Sequence, residues 1–79
     1  MIREITPGVY RHFKGNRYEV LCIAQHTENK KRLVIYKALY GDQKIYARPL
    51  RMFASKVDHI KYPDAQQEYR FERDEGGAV

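Results

Sequence analysis

Apolar and polar positions alternate along residues 18–49, and this stretch predicts the centre of the fold. A repeat of two residues is typical of β-strands, because successive side chains point to opposite faces of a sheet. Polar turns divide the stretch into three predicted strands, over residues 18–26, 32–40 and 45–48. Pro49 ends the third of these, because proline lacks the N–H that a strand ladder needs.

Weaker signals on either side complete the predicted set of elements. Residues 9–13 alternate after a Pro-Gly pair and predict a first strand, and the Lys-Gly-Asn-Arg sequence at 14–17 is typical of a tight hairpin turn. Residues 50–54 have helical spacing and predict one helical turn that plugs the end of the sheet. Residues 67–73 alternate again and predict a fifth strand.

The two middle strands carry apolar residues on both faces. In the first of them, alternation separates Leu21 and Ile23 from Val20, Cys22 and Ala24. A strand of this kind needs cover on both sides, so Cys22 is expected to be inert packing. In the second, alternation leaves open whether the face that bears Tyr36 and Tyr40 is core or surface.

These elements predict an all-β domain, a small SH3-like barrel of four or five antiparallel strands with one short helical turn. The alternative is a curved antiparallel sheet completed by dimerisation. We divide the chain into a lead-in over residues 1–6, a single domain over residues 7–73 and a disordered tail over residues 74–79.

Composition narrows the functional classes. Seventy-nine residues make one small domain, in which a large internal cavity would remove core that the fold needs. The single cysteine excludes an internal disulfide, and the chain has neither a signal-peptide core nor an apolar run long enough to cross a bilayer. We therefore expect a cytoplasmic monomer or weak homodimer that binds no membrane and no cofactor.

Charge is placed unevenly along the chain. Residues 1–53 hold 11 Lys or Arg and 4 Asp or Glu, a balance of +7, while residues 54–79 hold 4 and 6, a balance of −2, which together give the net +5. A positive body attracts anionic partners over about 8–10 Å at moderate salt. Solubility alone is the simpler explanation for an excess of this size.

Several short motifs together resemble one known family. The residues that carry the resemblance are Gly8, Tyr10, His12, Lys14, Gly15, Tyr18 and Val20, then Ala24 and His26, then Val34, Tyr36, Leu39, Tyr40 and Gly41, and finally Arg48, Pro49, Leu50, Met52 and Phe53. In this combination they are similar to the bacterial domain-of-unknown-function 1653 family, over roughly residues 7–57. The resemblance implies an SH3-like barrel, and it implies no activity.

The chain departs from the family pattern at two places. A loop that usually has the sequence His-Ser-Glu-Thr in the family is His-Thr-Glu-Asn at residues 26–29, so its hydroxyl and carboxylate are kept. A tryptophan is common in the family at the position of Tyr46, and a tyrosine there would stack more weakly on a ligand.

Basic and aromatic residues that share a strand face are the main candidates for a ligand site: Tyr10, His12 and Lys14, with Tyr36, Tyr46 and Arg48. His26 and Glu28, at the end of the second predicted strand and in the loop after it, complete the candidate set. Small barrels bind single-stranded nucleic acid by stacking bases on exposed rings beside a cationic groove. Further cations that could hold phosphates are Lys30, Lys31, Arg32, Lys37 and Lys44. The tyrosines are equally suited to a core, with their hydroxyls at its rim.

A protein or peptide partner is the favoured ligand class at this stage, with single-stranded nucleic acid as the alternative. Barrels of this kind present aromatic grooves to extended ligands, and an uncovered strand edge can accept an added strand. An enzyme is disfavoured: His26 and Glu28 lie at a strand end, where they more often hydrogen-bond the loop, and no activated nucleophile is evident. No metal site is expected, because Cys22 and His26 lie about 13 Å apart on an extended strand.

Overall fold

A computed structural model describes residues 3–74 of the chain. Its elements are the strands β1 (Gly8–His12), β2 (Arg17–Gln25), β3 (Arg32–Ala38) and β4 (Ile45–Pro49), the helical turn α1 (Leu50–Phe53) and the strand β5 (Phe71–Arg73). The five strands form one antiparallel sheet in the order β4-β3-β2-β1-β5. The predicted all-β class, the fifth strand and the helical turn are therefore confirmed. Residues 75–79 of the predicted tail lie outside the described residues.

The two edges of the sheet meet through their side chains over the core. Phe53 follows β4 through α1, and Phe71 begins β5 at the opposite edge. Their rings stack at a centroid distance of 4.0 Å and an angle of 9°, and both are almost fully buried. In a closed barrel, hydrogen bonds would join the two edge strands β4 and β5. Here the stacked rings of Phe53 and Phe71 connect these two edges of the curled sheet.

The core lies against one face of the sheet and also contains residues of the lead-in and of α1. The buried residues that pack together there are Ile5, Tyr10, Val20, Val34, Tyr36, Phe53, Ala54 and Phe71. Alternation alone did not decide whether the face of β3 that bears Tyr36 is core or surface. The structure shows that Tyr36 is buried in the core, whereas Tyr40, which follows the strand, is 44% exposed. Ile5 shows that the lead-in also contributes to the core.

A β-bulge in β2 changes which residues face the core. Val20 pairs with Tyr36, but the next pair is Cys22 with Ile35, so Leu21 is the extra residue. After the bulge Ile23, and not Cys22, pairs with Val34. Because directly opposed residues share a face, Val20 and Ile23 lie on the same side of the sheet. The predicted assignment of Cys22 to the side of Val20 was wrong for this reason.

The outer face of the sheet is less covered than the apolar pattern predicted. Leu21 is 38% exposed, Ile45 is 61% exposed, and Cys22 is an exposed free thiol. The expectation that the middle strands are covered on both sides was therefore wrong, as was the expectation that Cys22 is buried packing. Within residues 3–74, no helix is long and apolar enough to cross a membrane.

Candidate functional site

A basic cleft of about 330 Å³ opens at the end of β1. The residues that line it are His12, Phe13, Lys14, Arg48, Asp58, Lys61, Tyr62 and Arg70. They come from three places in the fold: the turn after β1, the strand β4, and the long connection between α1 and β5. Four of the eight are Lys or Arg and one is Asp, so the lining carries an excess of positive charge.

The tight turn after β1 places the first group of these side chains. The backbone N–H of Gly15 donates to the carbonyl of His12 at 2.7 Å, and Gly15 has a φ of +108°, which glycine adopts most readily. The backbone N–H of His12 donates to the carbonyl of Asn16 at 2.8 Å. Lys14 is therefore held at the tip of the turn, beside the imidazole of His12.

The connection between α1 and β5 folds back onto this turn and supplies the opposite wall. The backbone N–H of Phe13 donates to the carbonyl of Arg70 at 2.9 Å, and that of Arg70 donates to the carbonyl of Ser55 at 3.0 Å. The ring of Tyr62 meets the ring of Phe13 edge to face at 5.0 Å. The ammonium of Lys14 lies 5.2 Å from the centre of the Tyr62 ring, a favourable cation–π distance.

The third wall is the guanidinium of Arg48, which a core residue holds in place. Arg48 Nε donates to the hydroxyl of Tyr36 at 3.2 Å, and the Tyr36 ring is buried in the core. The Arg48 guanidinium carbon lies 5.9 Å from the centre of the Phe71 ring. This side chain is thus oriented by the hydrogen bond and by the aromatic core beneath it.

The electrostatics of the cleft keep His12 neutral at physiological pH. Burial is the largest cause that lowers the pKa of His12 below 6.5, and the positive charges of Lys14, Arg48 and Arg70 lower it further. Nδ1 of His12 accepts a hydrogen bond from the backbone N–H of Lys14 at 3.1 Å, so the neutral ring carries its proton on Nε2. The cleft therefore presents cations and one neutral N–H donor.

Asp58 is the single carboxylate of the cleft lining, and its hydrogen bonds are local. Its Oδ1 accepts from the backbone N–H groups of Ile60 at 3.0 Å and Lys61 at 3.2 Å. The carboxylate thus shapes the turn that carries Lys61 and Tyr62. It leaves the lining with a net positive charge, and the arrangement is suited to hold an anion.

Comparison with known proteins places the chain in a family. A family model described as "Protein of unknown function (DUF1653)" matches residues 8–73. The chain belongs to this family. A crystal structure of a DUF1653 protein from Bordetella bronchiseptica is similar, with a TM-score of 0.76 and 32% sequence identity, over 94% of this chain and 92% of that chain. Among curated proteins, none matches this chain significantly.

Membership of the DUF1653 family confirms the resemblance of the sequence motifs. The family carries no assigned activity, so the function of this DUF1653 chain has to be argued from the cleft itself.

The cleft of this DUF1653 domain brings together three of the residues that the sequence singled out: His12, Lys14 and Arg48. Tyr36 contacts the cleft indirectly, through its hydrogen bond to Arg48. The predicted grouping of Tyr10 with His12 and Lys14 is not seen, because Tyr10 is buried and its hydroxyl donates to the carbonyl of Thr6 at 3.0 Å.

His26 and Glu28 lie away from the cleft. They belong to the loop between β2 and β3, whereas His12 is beside the turn at the other end of β2, nine residues or about 30 Å away. Nδ1 of His26 accepts from the backbone N–H of Glu28 at 3.1 Å. The imidazole of His26 therefore stabilises the loop that contains both residues, as predicted for a histidine at a strand end.

Sequence reasoning missed the residues of the long connection. Lys61 and Tyr62 carry no periodic signal, and Arg70 lies in the part of the predicted fifth strand that precedes the observed strand, which begins at Phe71. Only the fold brings these side chains opposite His12. The available clue was composition: the connection holds isolated cations and a tyrosine beside Pro63, in a stretch without strand alternation. Within residues 3–74, no group of three His, Cys, Asp or Glu side chains is placed to hold a metal ion.

Proposed function

We propose that this domain is a binding module for an anionic ligand, held in the basic cleft between the β1 turn, Arg48 and the connection that carries Arg70. The observation that carries the proposal is the convergence of Lys14, Arg48, Lys61 and Arg70 on one cleft with a single carboxylate. Phosphate oxygens are the natural partners of such a set, because charge-assisted hydrogen bonds from Lys and Arg are the strongest available in a half-open site.

The proposal is for binding and not for a reaction. Arg48 and the lysines supply hydrogen-bond donors and no acceptor. His12 is the one neutral ring in the lining, and its Nδ1 already accepts the N–H of Lys14. Asp58 is engaged with the backbone of its own turn. We place this binding module in the cytoplasm.

The test uses a labelled abasic oligodeoxyribonucleotide, which presents phosphates without bases. The proposal expects affinity to fall linearly on a log–log plot against salt, with a slope of about −0.7 for each phosphate contacted. The double variant Lys14→Ala and Lys61→Ala removes two exposed cleft cations and is expected to weaken binding about tenfold or more at low salt.

A matched control separates the cleft from overall charge. The double variant Lys30→Ala and Lys31→Ala removes the same charge from exposed positions in the loop between β2 and β3. It should change the affinity no more than about twofold. Equal losses in the two double variants, or no binding by the wild-type domain at low salt, would remove the proposal.

A protein partner is the second candidate, and the edge of β4 favours it. β4 is the last strand of the sheet on its side within residues 3–74, and Ile45 on it is 61% exposed. An uncovered strand edge can pair with an extended segment of another protein. If a protein partner binds this edge, its capture should survive nuclease treatment. Binding should be lost in the Ile45→Lys variant and retained in the double variant Lys14→Ala and Lys61→Ala. Capture that fails any of these three conditions counts against it.

A further inference from the structure

A continuous track of aromatic rings leads from the basic cleft to the far end of β4. We call it the aromatic track, and its members in order are Tyr62, Phe13, His12, Tyr18, Tyr36 and Tyr46, with Tyr40 beside Tyr18. The centroid distances between neighbouring rings run from 4.6 Å for His12 and Phe13 to 6.4 Å for His12 and Tyr18. Ring contacts therefore connect the cleft to Tyr46 and Tyr40, partly through the buried ring of Tyr36.

Two rings at the far end of the track are open to solvent. Tyr46 is 43% exposed and Tyr40 is 44% exposed, whereas Tyr36 is buried. Tyr36 supports the ring of Tyr46 at 5.7 Å, and the hydroxyls of Tyr18 and Tyr40 lie 2.7 Å apart. The core residue Tyr36 and the half-buried Tyr18 thus support the open rings, which leaves the remaining faces of those rings for a ligand.

The spacing along β4 couples an open ring to a cleft cation. Tyr46 pairs with Tyr36, and Arg48 pairs with Val34. Because Tyr36 and Val34 face the core, Tyr46 and Arg48 lie on the core face of the sheet. Two residues of a strand span about 6.6 Å along the backbone. The two side chains also meet the same residue, because the hydroxyl of Tyr36 accepts from Arg48 Nε at 3.2 Å and its ring lies 5.7 Å from the ring of Tyr46. A phosphate on Arg48 would therefore place the neighbouring base over Tyr46.

We infer that the anionic ligand is a single-stranded nucleic acid, whose phosphates lie in the basic cleft and whose bases stack on Tyr46 and Tyr40. This inference rests on the proposed function and adds the class of the ligand. A small phosphorylated metabolite would use the cleft cations and leave the open rings unused. Every base has a flat face to offer a ring, so the site is expected to tolerate sequence variation. In a duplex those faces are already stacked on one another, so duplexes should bind less well.

The experiment compares three labelled probes of equal length: a single-stranded oligodeoxythymidine, the abasic strand, and a blunt duplex. Wild-type protein is expected to bind the oligodeoxythymidine at least fivefold more tightly than the abasic strand, because stacking on each ring adds to phosphate binding. It is expected to bind the duplex more weakly than the oligodeoxythymidine.

Variants at Tyr46 assign the difference to the track. Tyr46→Ala should lower the affinity for oligodeoxythymidine about fivefold or more and leave that for the abasic strand unchanged. Tyr46→Phe keeps the ring and should retain wild-type affinity for both probes. Because Tyr46 is half exposed, neither variant is expected to prevent folding, and thermal unfolding checks this.

The outcomes separate this inference from the proposed function. If wild-type protein binds the abasic strand as tightly as oligodeoxythymidine, the base-stacking inference is overturned and the anion-binding proposal stands. If it binds neither strand at low salt, both are overturned. A loss in Tyr46→Ala that is equal for the two strands also overturns the stacking inference, because it shows a general effect on the cleft.

Discussion

Arg48 Nε donates a hydrogen bond of 3.2 Å to the hydroxyl of Tyr36, and this contact joins the core of the domain to its basic cleft. The ring of Tyr36 is 5% exposed and packs at 5.3 Å from Phe53, so it cannot shift without disturbing the core. The guanidinium of Arg48 is consequently oriented before any ligand arrives. A pre-oriented cation loses less conformational entropy on binding than a free one.

Removal of the Tyr36 hydroxyl tests that coupling. Tyr36→Phe keeps the buried ring and deletes the acceptor of Arg48 Nε. We expect the free energy of unfolding to fall by about 0.5–1.5 kcal/mol and the affinity for oligodeoxythymidine to fall severalfold. Urea denaturation and fluorescence anisotropy measure the two effects. Tyr69→Phe, whose ring packs under Arg3 outside the cleft, is the control and should change neither. Unchanged affinity in Tyr36→Phe would show that the hydrogen bond does not position Arg48.

The lowered pKa of His12 gives stability a defined pH dependence. Because burial and nearby cations depress the pKa below 6.5 in the folded protein, the unfolded chain takes up this proton at a higher pH. The contribution is present above pH 6.5 and is lost as the pH falls toward the folded pKa. Wild-type protein should therefore lose stability below pH 6.5 more steeply than His12→Gln, as measured by urea denaturation at several pH values. Parallel pH profiles for the two proteins would contradict this.

Ligand binding should reverse part of that shift. An anion in the cleft opposes the charges of Lys14, Arg48 and Arg70, so the pKa of His12 should rise when oligodeoxythymidine binds. NMR titration of the imidazole with and without ligand measures this directly. An unchanged titration of the His12 imidazole in the presence of bound oligodeoxythymidine would contradict this.

The carboxylate of Asp58 should weaken the binding of anions. Asp58→Asn removes its negative charge, while the amide oxygen can still accept from the backbone N–H groups of Ile60 and Lys61. We expect affinity for the abasic strand to rise roughly threefold or more at low salt, with the gain reduced at high salt. Asp64→Asn makes the same charge change outside the cleft lining and is the matched control. A similar gain in affinity in both variants would show that net charge, and not the position of Asp58 in the cleft, causes the effect.

The stacked pair of Phe53 and Phe71 should dominate stability. Phe53→Ala removes a ring with no exposed surface and is expected to cost about 3–5 kcal/mol, a large share of the stability of a small domain. Its neighbour on α1, Met52, is 49% exposed, so Met52→Ala should cost about 0.5 kcal/mol or less. Urea denaturation of both variants gives the comparison. Similar losses would mean that the two edges of the sheet are not held together by this stack.

Much of the fold followed from local pattern, because strand alternation and turn chemistry are properties of neighbouring residues. The strands, the hairpin turn at Gly15 and the helical turn after Pro49 were predicted to within a few residues. The bulge at Leu21 was not, since an extra residue in a ladder depends on the partner strand. That one residue explains why the alternation placed Cys22 on the wrong face.

The candidate site was predictable only in part for a related reason. His12, Lys14 and Arg48 lie on strands or in a tight turn, where spacing indicates position. Lys61 comes from a stretch without periodicity, and the alternation around Arg70 predicts a strand without saying what that strand lies against. The place of both opposite His12 depends on tertiary hydrogen bonds such as that from the backbone N–H of Phe13 to the carbonyl of Arg70. Tyr10 shows a different limit of the sequence pattern. Alternation predicts which residues of β1 share its face, but only the packing of the other elements shows that this face is buried in the core.

The pairing of β5 with β1 has a consequence for biosynthesis. Tyr10 pairs with Arg73 and His12 pairs with Phe71. During synthesis, β1 therefore leaves the ribosome some sixty residues before β5, which is one of its two neighbours in the sheet. Until then the nascent chain lacks the ring that stacks on Phe53, and its half-formed sheet exposes the apolar surface that Phe71 later covers. Closing so long a segment is entropically costly and slow. We expect that the domain reaches its native state only after residue 73 has left the exit tunnel, and that nascent chains arrested earlier depend on chaperones to stay unaggregated.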